Sequence, residues 1–172
     1  MRRIGLALSA ALLLFSFPAI PGHGNALELS RLDRDFPALI QELARSMPLS
    51  FEQAENLGFK FDTYGDSAAG PSYAVTTPIM LTDGVMVSSV HLGVFSTPAL
   101  WGTIFVLRLG AGRPQRDMVE EWLGEFTLDE KNEIDGQEHY VRKCGLYKIR
   151  ASYSSEDSGL TELVFDALRP AE

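Results

Sequence analysis

Residues 79–94 read IMLTDGVMVSSVHLGV. Two short apolar runs flank Thr82-Asp83-Gly84, which is typical of a hairpin turn because glycine readily adopts the positive φ angle such a turn requires. Beyond the turn, one face of a long strand is predicted to carry Met86, Val90, Leu92 and Val94. The apolar run at residues 103–109 is the predicted neighbour of this strand. This stretch therefore predicts an antiparallel sheet in the middle of the chain.

The same two-residue periodicity returns on both sides of this stretch. Upstream, Tyr73 and Val75 alternate with small or polar residues. Downstream, shorter strands are expected at residues 126–128 and 138–143, and a further one around residues 163–165. The clearest alternation lies at 146–153, where Tyr147, Ile149, Ala151 and Tyr153 share one face and Lys148, Arg150 and Ser152 the other. We expect about seven strands.

Two helices are predicted before the sheet. The first covers about residues 35–46, because apolar residues recur there at three- and four-residue spacing and Asp35 supplies an N-terminal cap. The second covers about residues 51–57, because Ser50 and Gln53 form a capping-box pattern and glycine at position 58 permits a left-handed stop. Each helix has one apolar side, which we expect to pack on the sheet.

A third helix is predicted from Pro114, at its first position, to Gly124 at its end. Its predicted inward face consists of Met118, Val119, Trp122 and Leu123. Gly110-Ala111-Gly112 precedes it and predicts a strand-to-helix turn. Because one face of each strand is polar, we expect helices on the other face alone. The predicted fold is a single α+β domain at 27–172, with a mainly antiparallel sheet and two to three helices packed on one face.

A repeated order of elements suggests two helix-plus-meander units. Leu57-Gly58 ends the second helix before Phe61-Asp62, and Leu123-Gly124 ends the third before Phe126. In outline this order resembles the tandem helix-plus-meander units of β-lactamase-inhibitor-like proteins and outer-membrane assembly lipoproteins. The chain has no cysteine at the position where such lipoproteins are lipidated. The resemblance concerns the order of elements and implies no site residues.

The N-terminal segment predicts export. Met1-Arg2-Arg3 precedes an apolar run at residues 4–17, and Pro18 opens a segment of small and polar residues that ends at Ala26. This is the order of a secretory signal peptide. The alternative, an uncleaved membrane anchor, is disfavoured because the apolar run is shorter than the ~20 residues of a spanning helix. We expect cleavage after Ala26, with the domain periplasmic or secreted.

Charge and cysteine content exclude several classes of function. The formal net charge is −8, and loss of Arg2 and Arg3 with the signal peptide would make it about −10. Such a domain is a poor candidate for binding nucleic acid or anionic lipid, because the electrostatic term has the wrong sign. Cys144 is the single cysteine, so an intramolecular disulfide is impossible. A small buried residue is favoured for Cys144 over a reactive thiol.

No catalytic, cofactor-binding or metal-ligating residue is predicted. His91 and His139 are far apart in the sequence, and none of the common hydrolase or zinc motifs occurs. Residues 117–138 are rich in carboxylates, but a calcium loop with Gly136 at its sixth position places Lys131 first and Arg142 twelfth, where carboxylates are needed. A solvated acidic surface is favoured, with an electrostatic docking face as the alternative.

One loop, residues 96–101, has the composition of a binding site. It presents Leu100 and Trp101 beside Pro98, which stiffens the connection between two predicted strands. A rigidly held aromatic residue is a common anchor at protein interfaces. Pro98, Leu100 and Trp101 are therefore a candidate partner-binding loop. The alternative is that Trp101 folds back and caps the sheet.

These features favour an exported, non-enzymatic protein that binds another protein in the cell envelope. One alternative is a carrier that holds a small apolar ligand between helices and sheet, and another is an enzyme with an unrecognised site. An exposed apolar patch would favour the partner-binding protein, and a closed apolar cavity would favour the carrier. Convergent polar groups with shifted pKa values would favour the enzyme. The partner and the oligomeric state are left open.

Overall fold

The computed structural model describes residues 29–97, 100–132 and 136–170, so the segment expected to be a signal peptide lies outside the described residues. The described residues form three helices and eleven strand segments in one α+β fold. In chain order these are β1 (Ser30–Arg31), α1 (Phe36–Ser46), α2 (Phe51–Asn56), β2 (Thr63–Ser67), β3 (Gly70–Val75), β4 (Ile79–Met80), β5 (Met86–Ser96), β6 (Leu100–Leu109), α3 (Arg116–Leu123), β7 (Thr127–Asn132), β8 (Gln137–Cys144), β9 (Tyr147–Ser154), β10 (Leu160–Asp166) and β11 (Arg169–Pro170).

All described strands belong to one mainly antiparallel sheet, as predicted. Its order is β1-β4-β5-β6-β10-β9-β8-β7, while β3 pairs with β5 and carries β2, and β11 pairs with β6. Parallel pairing occurs between β1 and β4. The sheet has more strands than the seven or so expected. Eight have five or more residues, and β1, β4 and β11 have two each, too few for an alternating pattern to be recognised.

The sheet has two halves, and along the chain each half follows a helix. Helix α2 is followed by β2, β3, the two-residue β4, β5 and β6, and helix α3 is followed by β7, β8, β9, β10 and the two-residue β11. Strands β6 and β10 pair in the middle of the sheet, where Phe105 lies opposite Phe165. Strands β2 and β7 lie at the outer ends of the two halves.

Helices α1 and α2 begin where their predicted caps place them. The Asp35 carboxylate accepts a hydrogen bond of 2.8 Å from the backbone N–H of Ala38. At α2, the Gln53 N–H donates to the Ser50 hydroxyl, and the Ser50 N–H donates to the Gln53 side chain. These bonds satisfy N–H groups that have no partner within the helix. Both start positions are therefore explained by local sequence.

Helix α3 begins later than the sequence predicts. It starts at Arg116, and Pro114 lies outside it, where its carbonyl accepts a 2.9 Å hydrogen bond from the N–H of Leu160. Pairing with the start of β10 therefore holds Pro114 in the connection rather than in the helix. Gly124 ends the helix with a φ of 86°, as expected. Of the predicted inward face, Met118 is 43% exposed instead of buried.

A single hydrophobic core joins all three helices to the sheet. The helices contribute Phe36, Leu39, Ile40, Leu43, Ala54, Val119 and Leu123. The central strands contribute alternate residues that share one face: Val90, Leu92, Phe105, Leu107, Ile149, Ala151, Leu163 and Phe165. The intervening residues, among them His91 and Arg150, lie on the opposite face, here called the outer face. In residues 29–97, 100–132 and 136–170, no helix is long and apolar enough to cross a membrane.

A carboxylate joins the β2 end of the sheet to the connection between β3 and β4. Asp62 accepts hydrogen bonds from the backbone N–H groups of Thr76 and Thr77 and from the Thr76 hydroxyl, at 3.0–3.2 Å. Partial burial opposes ionisation of Asp62, but these bonds outweigh it and lower the pKa below its usual value. The ionised form of Asp62 therefore stabilises the fold.

Replacing Asp62 with Asn should lower the free energy of unfolding at neutral pH by about 1 kcal/mol, since the charge-assisted bonds at this exposed site are weakened. A carboxylate with a lowered folded-state pKa stabilises the fold above its unfolded pKa of about 3.9, and this effect is lost as pH falls through the folded value. Urea unfolding at several pH values measures the difference. The difference in free energy of unfolding between the original protein and Asp62→Asn should shrink below about pH 4.

The matched control is Asp33→Asn, at an exposed carboxylate before α1. We expect this change to alter the free energy of unfolding by less than about 0.5 kcal/mol. The role assigned to the Asp62 carboxylate would be contradicted if the two variants lost the same free energy of unfolding. It would also be contradicted if the loss in Asp62→Asn did not vary with pH.

Candidate functional site

The residues of the predicted binding loop extend β6. Leu100 and Trp101 are the first two residues of this strand, and Pro98 lies outside the described residues. Trp101 lies opposite Ser96 of β5 and opposite Arg169 of β11. The Arg169 guanidinium lies 5.3 Å from the centre of the indole ring, within the range of a cation–π contact. Trp101 thus has a fixed neighbour on one side and is 45% exposed.

Trp101 lies on the same face of the sheet as the core, because side chains alternate along β6 and Phe105 is buried in that core. It is not among the residues that pack against the core. On the same face, Tyr64 is 62% exposed, and its ring lies 5.5 Å from that of Tyr73. The centre of the Tyr73 ring in turn lies 4.3 Å from that of Phe51 in α2. A chain of aromatic rings therefore leads from helix α2 to solvent.

Trp101 and Arg169 lie at the end of the sheet near the β2–β3 turn, and Tyr64 and Tyr73 lie further along the strands on the same face. We call the surface that includes these residues the terminal patch. It consists of Tyr64, Tyr73, Val94, Trp101 and Arg169. Tyr64 lies in one row across the sheet with Phe105, which is four residues from Trp101 along β6. At ~3.4 Å per residue and ~4.8 Å between strands, the patch extends over about 20 Å. This distance suits a macromolecule rather than a small ligand.

A second feature is a cleft between helices α1 and α3 and strands β8 and β9. Its volume is about 340 Å³. It is lined by Gln41, Ala44, Arg45, Trp122, Leu123, Arg142, Cys144, Tyr147 and Ile149. Cys144 is partly exposed here rather than buried as favoured from sequence, although it packs against the core. It is the last residue of β8 and lines the cleft.

Tyr147 is the best-fixed polar group of the cleft. Its hydroxyl donates a 2.7 Å hydrogen bond to the carbonyl of Ala44 in α1. Burial, and then the neighbouring Cys144, raise the pKa of Tyr147 to about 12. The hydroxyl therefore stays protonated at neutral pH, and it ties β9 to α1.

No family model matches the chain, and no curated protein and no solved structure matches it significantly. The geometry of the molecule therefore carries the functional argument.

A third feature is a polar cluster at the start of α3, formed by Arg116, Glu138, Tyr140 and Tyr153 around a cavity of about 150 Å³. Arg116 donates a 2.8 Å hydrogen bond to the Tyr140 hydroxyl, which donates one of 2.8 Å to Glu138. Burial is the main cause that raises the pKa of both tyrosines. Both hydroxyls therefore stay protonated at neutral pH, and the hydrogen bonds of the cluster link Arg116, Tyr140 and Glu138.

The two histidines do not form a joint site. Both lie on the outer face, His91 in β5 and His139 in β8, with β6, β10 and β9 between them. Four strand spacings separate them, which is about 19 Å. Burial lowers the pKa of His91, and Arg108 lowers it further, so this imidazole is neutral at pH 7. His139 shares a 2.9 Å hydrogen bond with Ser152.

The carboxylates of residues 117–138 are spread over several elements. Glu120 pairs with Arg116 in α3, whereas Asp129 and Glu130 are exposed on β7. Glu133 and Asp135 lie outside the described residues. Within the described ranges, no group of three or more His, Cys, Asp or Glu side chains is placed to hold a metal ion. The acidic segment therefore contributes a distributed surface charge.

The tyrosine pair of the polar cluster predicts opposite responses to loss of a hydroxyl. Tyr153 is 3% exposed, and its hydroxyl has no hydrogen-bond partner among the described residues. Tyr153→Phe removes this unsatisfied group and should leave the free energy of unfolding unchanged or raise it by up to about 1 kcal/mol. Tyr140→Phe removes two hydrogen bonds and should lower it by about 1–2 kcal/mol. Urea unfolding of both variants checks this.

Proposed function

We propose that this protein is exported and binds another protein of the cell envelope through the terminal patch, without catalysing a reaction. The observation that carries the proposal is the half-exposed Trp101 ring, held in place by Arg169 at one end of the sheet. Tryptophan, tyrosine and arginine are the residue types most enriched among the dominant contacts of protein interfaces. The terminal patch presents all three.

The arrangement of the patch favours a binding partner over a purely structural role. Trp101 is 45% exposed, and Tyr64 is exposed on the outermost strand of its half. Both rings belong to strands rather than flexible segments, so little conformational entropy is lost when a partner covers them. A rigid aromatic surface of this kind gives affinity at low entropic cost.

Charge specifies the partner further. Among the described residues, Arg169 has no ion pair. Its guanidinium can therefore donate hydrogen bonds to a carboxylate of a partner while it remains stacked on Trp101. The chain as a whole carries a net charge of −8, which attracts proteins of positive net charge. The proposed partner is therefore a basic envelope protein that presents apolar side chains and one carboxylate to the terminal patch.

The test compares Trp101→Ala with Met118→Ala, which removes a similarly exposed apolar side chain from α3. Chemical cross-linking in the native envelope, followed by mass spectrometry, identifies the partner, and titration of the purified pair gives Kd. We expect Trp101→Ala to raise Kd by about 10-fold or more and Met118→Ala to leave it unchanged. The melting temperature should fall by less than about 3 °C in both variants, because neither side chain is buried.

A large loss of melting temperature in Trp101→Ala would show that the ring caps the sheet, and the proposal would then fail. An unchanged Kd in Trp101→Ala would also contradict the proposal. A third variant, Arg169→Gln, should weaken binding and reduce its dependence on salt. The export step has its own measurement: mass spectrometry of the native protein should find Leu27 as the first residue.

A further inference from the structure

We propose that the cleft between α1, α3, β8 and β9 is a binding site for a small organic carboxylate with an apolar body. This site is separate from the terminal patch, and nothing in the proposed partner binding requires it. The sequence favours, as an alternative function, a carrier of an apolar ligand between helices and sheet. The cleft occupies that place, but its lining demands a ligand with a negative charge.

The negative charge is required by two arginines. Arg45 lies in the last turn of α1, and Arg142 lies on β8. Among the described residues, neither guanidinium forms an ion pair with an acid. Both cations line one cleft, so an anion bound in it is attracted by both.

Arg142 is placed by the end of helix α3. A Cβ atom added to Gly124 would lie 2.3 Å from a terminal nitrogen of Arg142, so the guanidinium rests directly against the glycine. Glycine at this position therefore does two things: it ends the helix with a φ of 86° and it leaves room for the guanidinium. The Arg142 guanidinium is therefore held at the cleft instead of extending freely into solvent.

The apolar body of the ligand is required by the remaining walls. Trp122 of α3 and Ala44 of α1, which are partly buried, provide apolar surface, and the buried Ile149 of β9 also lines the cleft. Tyr147 and Gln41 use their polar groups within the protein, through bonds to the carbonyls of Ala44 and Trp122. A volume of about 340 Å³ is at the small end of ligand pockets, which are mostly apolar with a few polar groups.

A carboxylate fits this site better than a phosphate. Arg45 lies at the C-terminal end of α1 and Arg142 at that of α3, where the helix dipoles leave partial negative charge. Part of the positive charge of each guanidinium is therefore already offset. A ligand with one negative charge matches what remains, whereas a dianion is disfavoured by both helix ends.

The experiment titrates the full exported protein with three probes: 3-phenylpropionate, its neutral analogue 3-phenylpropanol, and inorganic phosphate. Binding is followed by isothermal titration calorimetry. We expect 3-phenylpropionate to bind at least 10-fold more tightly than either of the other probes. Arg142→Gln should weaken its binding at least 10-fold, and Arg45→Gln should weaken it in the same direction.

Arg150→Gln is the matched control, because Arg150 lies on the outer face of the same strand that contributes Ile149 to the cleft. It should leave the affinity for 3-phenylpropionate unchanged. A second readout needs no variant: Cys144 is the single thiol and lines the cleft, so bound 3-phenylpropionate should slow its reaction with a neutral maleimide. This readout stands even if Arg142→Gln does not fold.

Four results would overturn the proposal. Equal affinity for 3-phenylpropionate and 3-phenylpropanol would show that charge is not recognised. Tighter binding of phosphate would show that the site is a simple anion site. The same loss of affinity in Arg150→Gln as in Arg142→Gln, or no protection of Cys144, would place any binding outside the cleft.

Discussion

The pairing of β6 with β10 is the constraint on which the rest of the molecule depends. These strands join the two halves of the sheet, and their register places Phe105 opposite Phe165 and Leu107 opposite Leu163. All four side chains are fully buried. Because a shift of register by one residue would turn these four side chains to the outer face, burial of the core fixes this pairing strongly. Each half then extends outward from a common centre.

Both proposed binding surfaces follow from this arrangement. Helix α2 packs on Tyr73 through Phe51 but leaves the neighbouring Tyr64 ring 62% exposed. On the other half of the sheet, α1 and α3 do not close over the ends of β8 and β9, which leaves the cleft with Arg142 on its wall. The apolar patch and the charged cleft are thus separate consequences of partial cover by three short helices.

Local patterns predicted the main elements, whereas the sites depend on contacts between distant residues. Capping residues such as Asp35 and Ser50 indicated where helices begin, because their hydrogen bonds are made within the same few residues. The start of α3 could not be predicted, because it depends on pairing between Pro114 and Leu160. The cleft was missed for the same reason: Arg45, Trp122 and Arg142 meet through folding, and no spacing in the sequence relates them.

The outermost strand β7 also bears on how the protein behaves at high concentration. An edge strand exposes unpaired backbone groups that can recruit another chain into a growing sheet, which is a route to aggregation. Asp129 and Glu130 are exposed on this edge. Two copies that approached each other edge to edge would bring like charges together, and their repulsion opposes fibril growth. Asp129 and Glu130 thus oppose the edge-to-edge association of two folded chains.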